Sequence, residues 1–116
     1  MKEHTNEPLT WDEFSRVDMR VGTVIHAEVF KEARKPAYKI QVDFGEMGIR
    51  KTSAQVTDLY SCEELVGKQI IGVVNFPPKQ IANIKSEFLL LGAIGDAGEV
   101  TILQTERKVI NGLKIG

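Results

Sequence analysis

Two basic stretches contain the residues whose types and spacing could do chemistry in this chain. The segment from Lys31 to Lys51 has more lysines and arginines than acids, and the loop from Lys79 to Lys85 has no acid between its two lysines. Cations grouped on one surface can neutralise the phosphates of a nucleic acid or attract acidic peptide segments. A solvated strand face or a plain charged loop would contain the same residues. Spacing alone therefore leaves both interpretations open.

Catalytic and metal chemistry is not favoured. Cys62 is the only cysteine, so neither an internal disulfide nor a thiolate metal cluster can form within one chain. Glu63 and Glu64 follow it, and neighbouring carboxylates raise a thiol pKa. His26 stands alone in a strand-like run, and no glycine-rich phosphate loop is present. We expect a binding protein that is not an enzyme and uses no metal or cofactor, with catalysis by Cys62 or His26 as the weakest alternative.

Length and composition indicate one ordinary globular domain. The chain has 116 residues, of which 42% are hydrophobic and 27% charged. Its first residues are polar, and no apolar run approaches the roughly 20 residues that cross a bilayer. We expect a single domain over residues 1–116 that is cytoplasmic and does not insert into a membrane.

Two short helices are predicted from capping boxes. Thr10 precedes Glu13, and Ser61 precedes Glu64, at the spacing in which each side chain caps the other's backbone amide. The first helix would belong to an N-terminal helical arm, residues 1–18. The second would separate the third and fourth strands.

Period-two alternation of apolar and polar residues dominates the rest of the chain and predicts strands. The strand candidates are 21–30, 37–44, 49–56, 69–75, 88–94 and 100–104. Short strands with a small helix between the third and fourth favour an all-β fold, a five-stranded Greek-key barrel of the OB type. In such barrels the loop after strand one and the loop between strands four and five flank the ligand-binding face.

The C-terminal residues predict a hairpin extension. Asn111-Gly112 favours a type I′ turn, and apolar residues flank it on both sides. A short apolar ribbon cannot bury itself, so this C-terminal dimerisation tail, residues 105–116, must pack on the barrel or on another chain. We expect an obligate homodimer, and its interface candidates are Trp11, Phe14, Val109, Ile110, Leu113 and Ile115.

Several ordered motifs resemble those of the tRNA-binding domain family. They are FSRVDMRVGTV at 14–24, VDFG at 42–45, Tyr60 with ELVGK at 64–68, VNFPP at 74–78 and IKSE at 84–87. This family occurs as free-standing dimers and as an appendage of methionyl- and phenylalanyl-tRNA synthetases. Segments 30–37, 53–56, 75–78 and 111–116 are similar to the small export-related chaperones of bacteria within the family.

The resemblance implies a homodimeric OB-fold chaperone that binds unfolded precursor proteins without ATP and meets the export motor SecA. The candidates for contact with an unfolded peptide are Phe30, Phe76 and Pro77, expected to be exposed apolar side chains, although barrel packing would also account for them.

The resemblance also implies a retained affinity for tRNA, so the alternative is a structure-specific tRNA-binding protein. Its candidate phosphate ligands are Arg34, Lys35, Lys39, Arg50, Lys51, Lys79 and Lys85, with Asn75 and Ser86 as polar contacts.

Overall fold

The structure, a computed structural model, describes residues 7–116, so the first six residues of the predicted N-terminal arm lie outside the described residues. Its strands are β1 (Met19–Val29), β2 (Tyr38–Asp43), β3 (Ile49–Ala54), β4 (Gln69–Val73), β5 (Lys79–Ile81), β6 (Ile84–Ser86), β7 (Leu89–Leu90), β8 (Gly92–Ile94) and β9 (Val100–Ile102). Five of them form one antiparallel sheet in the order β3-β2-β1-β4-β7. The pairs β5-β6 and β8-β9 form separate two-stranded hairpins.

The two edges of the five-stranded sheet approach each other and nearly close a barrel. The backbone N–H of Glu87 donates to the carbonyl of Lys51 at 2.8 Å. Thr52 is the buried polar residue of this seam, and its hydroxyl donates to the carbonyl of Phe88 at 2.8 Å and lies 2.6 Å from the hydroxyl of Ser86. The expected all-β fold, a five-stranded barrel of the OB type, is confirmed.

Both helices begin where the capping boxes predict. They are α1 (Trp11–Ser15) and α2 (Cys62–Leu65). Thr10 accepts from the N–H of Glu13 at 3.1 Å, and the carboxylate of Glu13 accepts from the N–H of Thr10 at 2.9 Å. Ser61 and Glu64 repeat this exchange at 3.2 and 2.8 Å. The hydrogen bonds from Thr10 and from Ser61 hold the pKa values of the two glutamates below their usual range. No helix of residues 7–116 is long and apolar enough to cross a bilayer.

Two aromatic rings fill the barrel because glycines make room for them. Phe44 and Phe88 meet edge to face, with ring centroids 5.0 Å apart and an interplanar angle of 80°. A Cβ atom on Gly72 would lie 2.8 Å from the ring of Phe88 and 2.9 Å from that of Phe44. One on Gly22, in the neighbouring strand, would lie 2.7 Å from the Phe44 ring. Larger residues at these two positions would therefore displace the central rings.

The apolar run 88–94 forms two strands, so the prediction of one continuous strand is wrong. β7 pairs with β4, and the N–H of Leu91 still donates to the carbonyl of Ile71 at 3.0 Å. β8 then leaves the sheet and pairs with β9. A Cβ on Gly92 would collide with Val100, so a glycine is needed where the chain changes partner.

The predicted C-terminal hairpin is also wrong, because the tail pairs with the barrel. The N–H of Gly112 donates to the carbonyl of Val21 at 2.7 Å, and Val21 donates back to Leu113 at 3.0 Å. The N–H of Ile115 donates to Met19 at 2.9 Å. Among the described residues of this turn only Gly112 has a positive φ, of 96°, whereas a type I′ turn needs one at both central residues.

Gln69 explains why the tail turns toward the barrel. Its amide nitrogen donates to the carbonyl of Val109 at 2.7 Å and to the side-chain oxygen of Asn111 at 3.0 Å, while its oxygen accepts from the N–H of Val109 at 2.9 Å. Thr23 donates to the same Asn111 oxygen at 2.7 Å. The Gln69 side chain pairs with Val109 as a neighbouring strand would, and together with Thr23 it holds the side chain of Asn111 against the barrel.

Candidate ligand-binding groove

The loop between β1 and β2 and the β5–β6 hairpin form the walls of an open groove of about 750 Å³. We call it the cationic groove, and its lining residues are Glu32, Ala33, Arg34, Lys35, Ala37, Ser53, Gln55, Gln80, Ile81 and Ala82. These walls come from the two connections that flank the ligand face of an OB barrel. The end of β3 lies between them.

One wall of the groove is a hairpin, where the sequence predicted a charged loop. β5 and β6 pair in register, with Gln80 opposite Lys85 and Lys79 opposite Ser86. Residues directly opposite each other share a face of a two-stranded ribbon, whereas consecutive residues alternate. Lys79 and Lys85 therefore lie on opposite faces of the hairpin. Ala82 makes its tight turn with a φ of 48°, a left-handed conformation that alanine rarely adopts.

Exposed cations lie at and around the groove. Five of the seven predicted phosphate-binding cations are exposed and form no ion pair with a described residue; these are Arg34, Lys35, Lys51, Lys79 and Lys85. Only Arg34 and Lys35 line the cationic groove itself. The structure thus brings together part of the predicted set.

The other two predicted cations already have partners within the barrel. The ammonium of Lys39 lies 3.3 Å from the carboxylate of Glu28 and 5.5 Å from the centroid of the Phe30 ring. The guanidinium of Arg50 donates to the carbonyl of Val74 at 2.7 Å. Hydrogen bonds from His26 and then from Lys39 lower the pKa of Glu28.

Asn75 and Ser86 also contact the protein itself. The side-chain oxygen of Asn75 accepts from the N–H of Asp18 at 3.0 Å, and its nitrogen donates to the carbonyl of Arg16 at 2.6 Å. The hydroxyl of Ser86 lies 2.6 Å from that of Thr52. Both residues connect segments that are distant in sequence.

The three predicted peptide-binding residues do not form one site. Phe30 is 2% exposed, so the expectation of an exposed ring there is wrong. Its N–H donates to the carbonyl of Ala37 at 3.0 Å, which extends the β1–β2 pairing past Val29 and Tyr38. Phe76 is 56% exposed and lines, with Pro77, a separate groove of about 360 Å³ beside Arg16.

Helix α1, with the residues just before it, and the C-terminal Gly116 meet at an apolar groove of about 410 Å³. We call it the end surface, and it is lined by Leu9, Thr10, Trp11, Phe14 and Gly116. Trp11 is 86% exposed and Leu9 is 70% exposed. Among the other predicted interface residues, Ile110 and Leu113 are exposed, whereas Val109 and Ile115 are half-buried.

Eight of the ten residues that line the groove were not predicted as site residues, although two of the eight carry a signal in the sequence. Ser53 and Gln55 alternate with the buried Thr52 and Ala54, which marks the outward face of β3. Gln80 lies within the loop that had been singled out, but no spacing rule distinguishes it from its neighbours.

The residues considered for catalysis lie apart from the cationic groove lining. Burial raises the pKa of the Cys62 thiol, and the charges of Glu63 and Glu28 raise it further. The ring nitrogen Nε2 of His26 lies 2.9 Å from the carboxylate of Glu28. Residues 7–116 contain no group of three acidic, histidine or cysteine side chains placed to hold a metal ion.

A nearly closed antiparallel barrel with a cation-bearing groove between its two ligand loops defines an OB-fold binding domain. Residues 19–114 match the family model described as "Putative tRNA binding domain". The chain belongs to this family.

Solved structures in the family resemble the whole chain. The chaperone CsaA from Bacillus anthracis is 49% identical, with a TM-score of 0.90, over 95% of this chain and 100% of that one. The CsaA chaperone protein from Picrophilus torridus is 48% identical, with a TM-score of 0.88, over 94% of this chain and 100% of that one. A MetRS-related protein from Pyrococcus horikoshii is 34% identical, with a TM-score of 0.84, over 95% and 99% of the two chains.

Curated relatives are much longer than this chain. The methionine–tRNA ligase of Methanococcoides burtonii is 33% identical over 100 residues, which is 86% of this chain and 14% of the ligase. That of Chlorobium phaeovibrioides is 37% identical over 92% of this chain and 15% of the ligase. The chain thus spans about 15% of the length of such relatives.

Proposed function

We propose that this protein is a CsaA-like chaperone that binds unfolded precursor proteins during protein export without using ATP. The observation that supports it is the likeness to two CsaA chaperones along 100% of their chains, whereas only 14–15% of each ligase is matched. In this proposal the protein works in the cytoplasm and hands its clients to SecA.

The cationic groove has the properties that such a role needs. It is open, so that an extended chain can enter from the side. Its apolar lining consists mainly of small residues, Ala33, Ala37 and Ala82, which leave space for varied side chains. Arg34 and Lys35 attract acidic segments of a client. A client would thus be held weakly and without a fixed sequence.

The proposal includes a homodimer formed through the end surface and the tail. Trp11 and Leu9 lie together on the end surface and are each at least 70% exposed, and side chains of this size are rarely grouped in water on a monomer. Ile110, on the tail, is 76% exposed. A two-fold axis would bring the arm 1–18 and the tail 105–116 of one protomer against those of its partner. Burial of each large apolar side chain would contribute about 1.5–3 kcal/mol.

Aggregation of a chemically denatured client, followed by light scattering without nucleotide, tests the chaperone role. We expect equimolar protein to suppress scattering and the double variant Arg34→Ala, Lys35→Ala to suppress it less. The matched control is Lys51→Ala, Lys79→Ala, which removes two exposed cations that neither line the cationic groove nor lie in the tail. If the wild type leaves scattering unchanged at several-fold excess, the chaperone proposal is wrong. Co-purification with SecA tests the export partner separately.

A second candidate, a structure-specific tRNA-binding protein, is favoured by the family model and by the five exposed, unpaired cations named above. Each phosphate contact should add about 0.7–0.9 to the slope of log affinity against log salt concentration. Titration of the protein with tRNA at several salt concentrations counts these contacts. A slope near zero would exclude this candidate.

A further inference from the structure

The outer edge of β3 is paired at Lys51 but has backbone groups at Ser53 that find no strand partner within residues 7–116. The N–H of Lys51 donates to the carboxylate of Glu87 at 3.0 Å, and the carbonyl of Lys51 accepts from the N–H of Glu87 at 2.8 Å. Both backbone groups of Lys51 therefore point away from β2, although Lys51 lies opposite Gln41 in the β2–β3 register. Gln41 and Lys51 form a non-hydrogen-bonded pair of that ladder.

Hydrogen-bonded and non-hydrogen-bonded pairs alternate along an antiparallel ladder, so the backbone groups of Ser53 point the same way as those of Lys51. Ser53 lies opposite Lys39, two positions further along the ladder, so its N–H and C=O also point away from β2. The N–H of Phe44 donates to the carbonyl of Gly48 at 3.0 Å. This hydrogen-bonded pair lies an odd number of positions from Gln41 and Lys51 along the ladder, as the alternation requires. Within residues 7–116 no group accepts from the N–H of Ser53, and its carbonyl receives only a 3.4 Å contact from Thr52.

The seam between β3 and β6 ends at Glu87. Beyond that residue no ladder joins β6 to β3, and β6 pairs with β5 alone among the described strands. Ser53 is half-buried and lines the cationic groove between the hairpin and the β1–β2 loop. Partly sheltered N–H and C=O groups that lack partners are a template for an additional strand.

We propose that an unfolded polypeptide binds in the cationic groove as an added β-strand, paired through its backbone with the edge of β3 at Ser53. This inference rests on the proposed chaperone function. Backbone pairing depends little on the client's sequence, as a chaperone of varied clients requires. Arg34 and Lys35, on the facing wall, would favour a segment with an acidic residue nearby. An RNA ligand would use these cations without strand pairing.

The first test removes one backbone donor. Proline is tolerated in a strand where the N–H faces away from the ladder, so Ser53→Pro deletes this donor without breaking the β2–β3 bonds. The control Ser53→Ala keeps the N–H and loses only the hydroxyl. A fluorescein-labelled, unstructured twelve-residue peptide with one aspartate is titrated by anisotropy. We expect Ser53→Pro to weaken binding about tenfold and Ser53→Ala to bind within about twofold of wild type.

The second test modifies the peptide and remains decisive if Ser53→Pro does not fold. One peptide is N-methylated at every second residue and another at every residue. In a paired strand only every second N–H faces β3, and a peptide without a fixed register can shift by one residue to turn its free N–H groups to that edge. We therefore expect the first peptide to keep its affinity and the second to lose most of it.

The outcomes separate the inference from the function on which it rests. If the fully methylated peptide binds as well as the unmodified one, strand pairing is wrong and the chaperone proposal still stands. An unmodified peptide that does not bind wild type overturns both. If Ser53→Pro weakens tRNA as much as peptide, the groove is an RNA site and the strand-pairing inference is wrong.

Discussion

The cationic groove and the end surface are both open to solvent, but they expose different groups. The groove presents cations, amides and backbone groups, with small apolar residues between them. The end surface presents large apolar side chains, among them Trp11 at 86% and Leu9 at 70% exposure. Hydrated polar groups are typical of surfaces that bind a ligand transiently, whereas large apolar side chains are typical of permanent, complementary interfaces.

Because of this difference, the two surfaces should respond differently to salt. Salt screens charges, so binding at the groove should weaken as ionic strength rises. Apolar burial is not weakened by salt and should keep the dimer intact under the same conditions. Variants at one surface should therefore leave the behaviour of the other unchanged.

Loss of the tail should have the largest effect. Deletion of residues 108–116 removes the strand that pairs with Val21 and Met19 and also removes Ile110 and Leu113 from the proposed interface. We expect light scattering to show a monomer or an aggregate. Lys114→Ala, which changes one exposed tail residue, is the control. A truncated chain that remains a stable dimer would place the interface elsewhere.

Gln69→Ala should weaken the dimer without truncating the chain. The change removes two hydrogen bonds to the backbone of the half-buried Val109, each of which contributes about 0.5–1.5 kcal/mol. We expect the dimer dissociation constant, measured by analytical ultracentrifugation, to rise at least about tenfold, while peptide affinity at the groove stays the same. Gln104→Ala, an exposed glutamine, is the control. An unchanged dissociation constant would show that the tail does not need this anchor.

Removal of the two hairpin lysines should weaken tRNA binding and leave the dimer unchanged. For Lys79→Ala with Lys85→Ala we expect the tRNA salt slope to fall by about 1.4–1.8, since each cation contributes separately. Because these lysines lie on opposite faces of the hairpin, a fall of half that size would indicate that one face alone contacts RNA. The dimer dissociation constant should not change. Unchanged tRNA affinity and slope would remove the hairpin from the RNA site.

The smallest expected effect is on the pH dependence of stability. The folded-state pKa values of Glu13 and Glu64 are lowered by hydrogen bonds within their capping boxes. The stability that these two carboxylates contribute is therefore complete above the ordinary glutamate pKa of 4.5 and is lost as the pH falls through the lowered folded pKa values. Melting temperature should decline in this acidic range, and Glu64→Gln, which keeps the cap, should flatten the decline. Glu63→Gln, outside the box, should melt like wild type at every pH.

Local patterns predicted the parts of the fold that depend on local interactions. The capping boxes of Thr10 and Ser61 lie within four residues, and both helices begin where predicted. Alternation located the central strands in the same way. The tail was predicted incorrectly because the turn preference of Asn111 competes with Gln69, 42 residues away, and the long-range hydrogen bonds prevail.

The residues of the groove could likewise be predicted from the sequence only in part. The sequence pointed to Arg34 and Lys35 in the first ligand loop, and both line the groove. It could not place them opposite Gln80, because that depends on how the β5–β6 hairpin folds over the barrel. Phe30 was expected to be exposed, yet its position beside Ala37 at the end of the β1–β2 pairing determines its burial.

Site-specific crosslinking tests most directly whether unfolded polypeptide occupies the cationic groove. In a Cys62→Ala background, Gln55→Cys places a benzophenone label on the groove, and Asp96→Cys places the same label on an exposed turn between β8 and β9. Each labelled protein is irradiated with a denatured precursor protein. We predict that the precursor crosslinks from position 55 and not from position 96, and that excess unlabelled peptide abolishes the product. Equal crosslinking from both positions, or none from position 55, would contradict the proposed site.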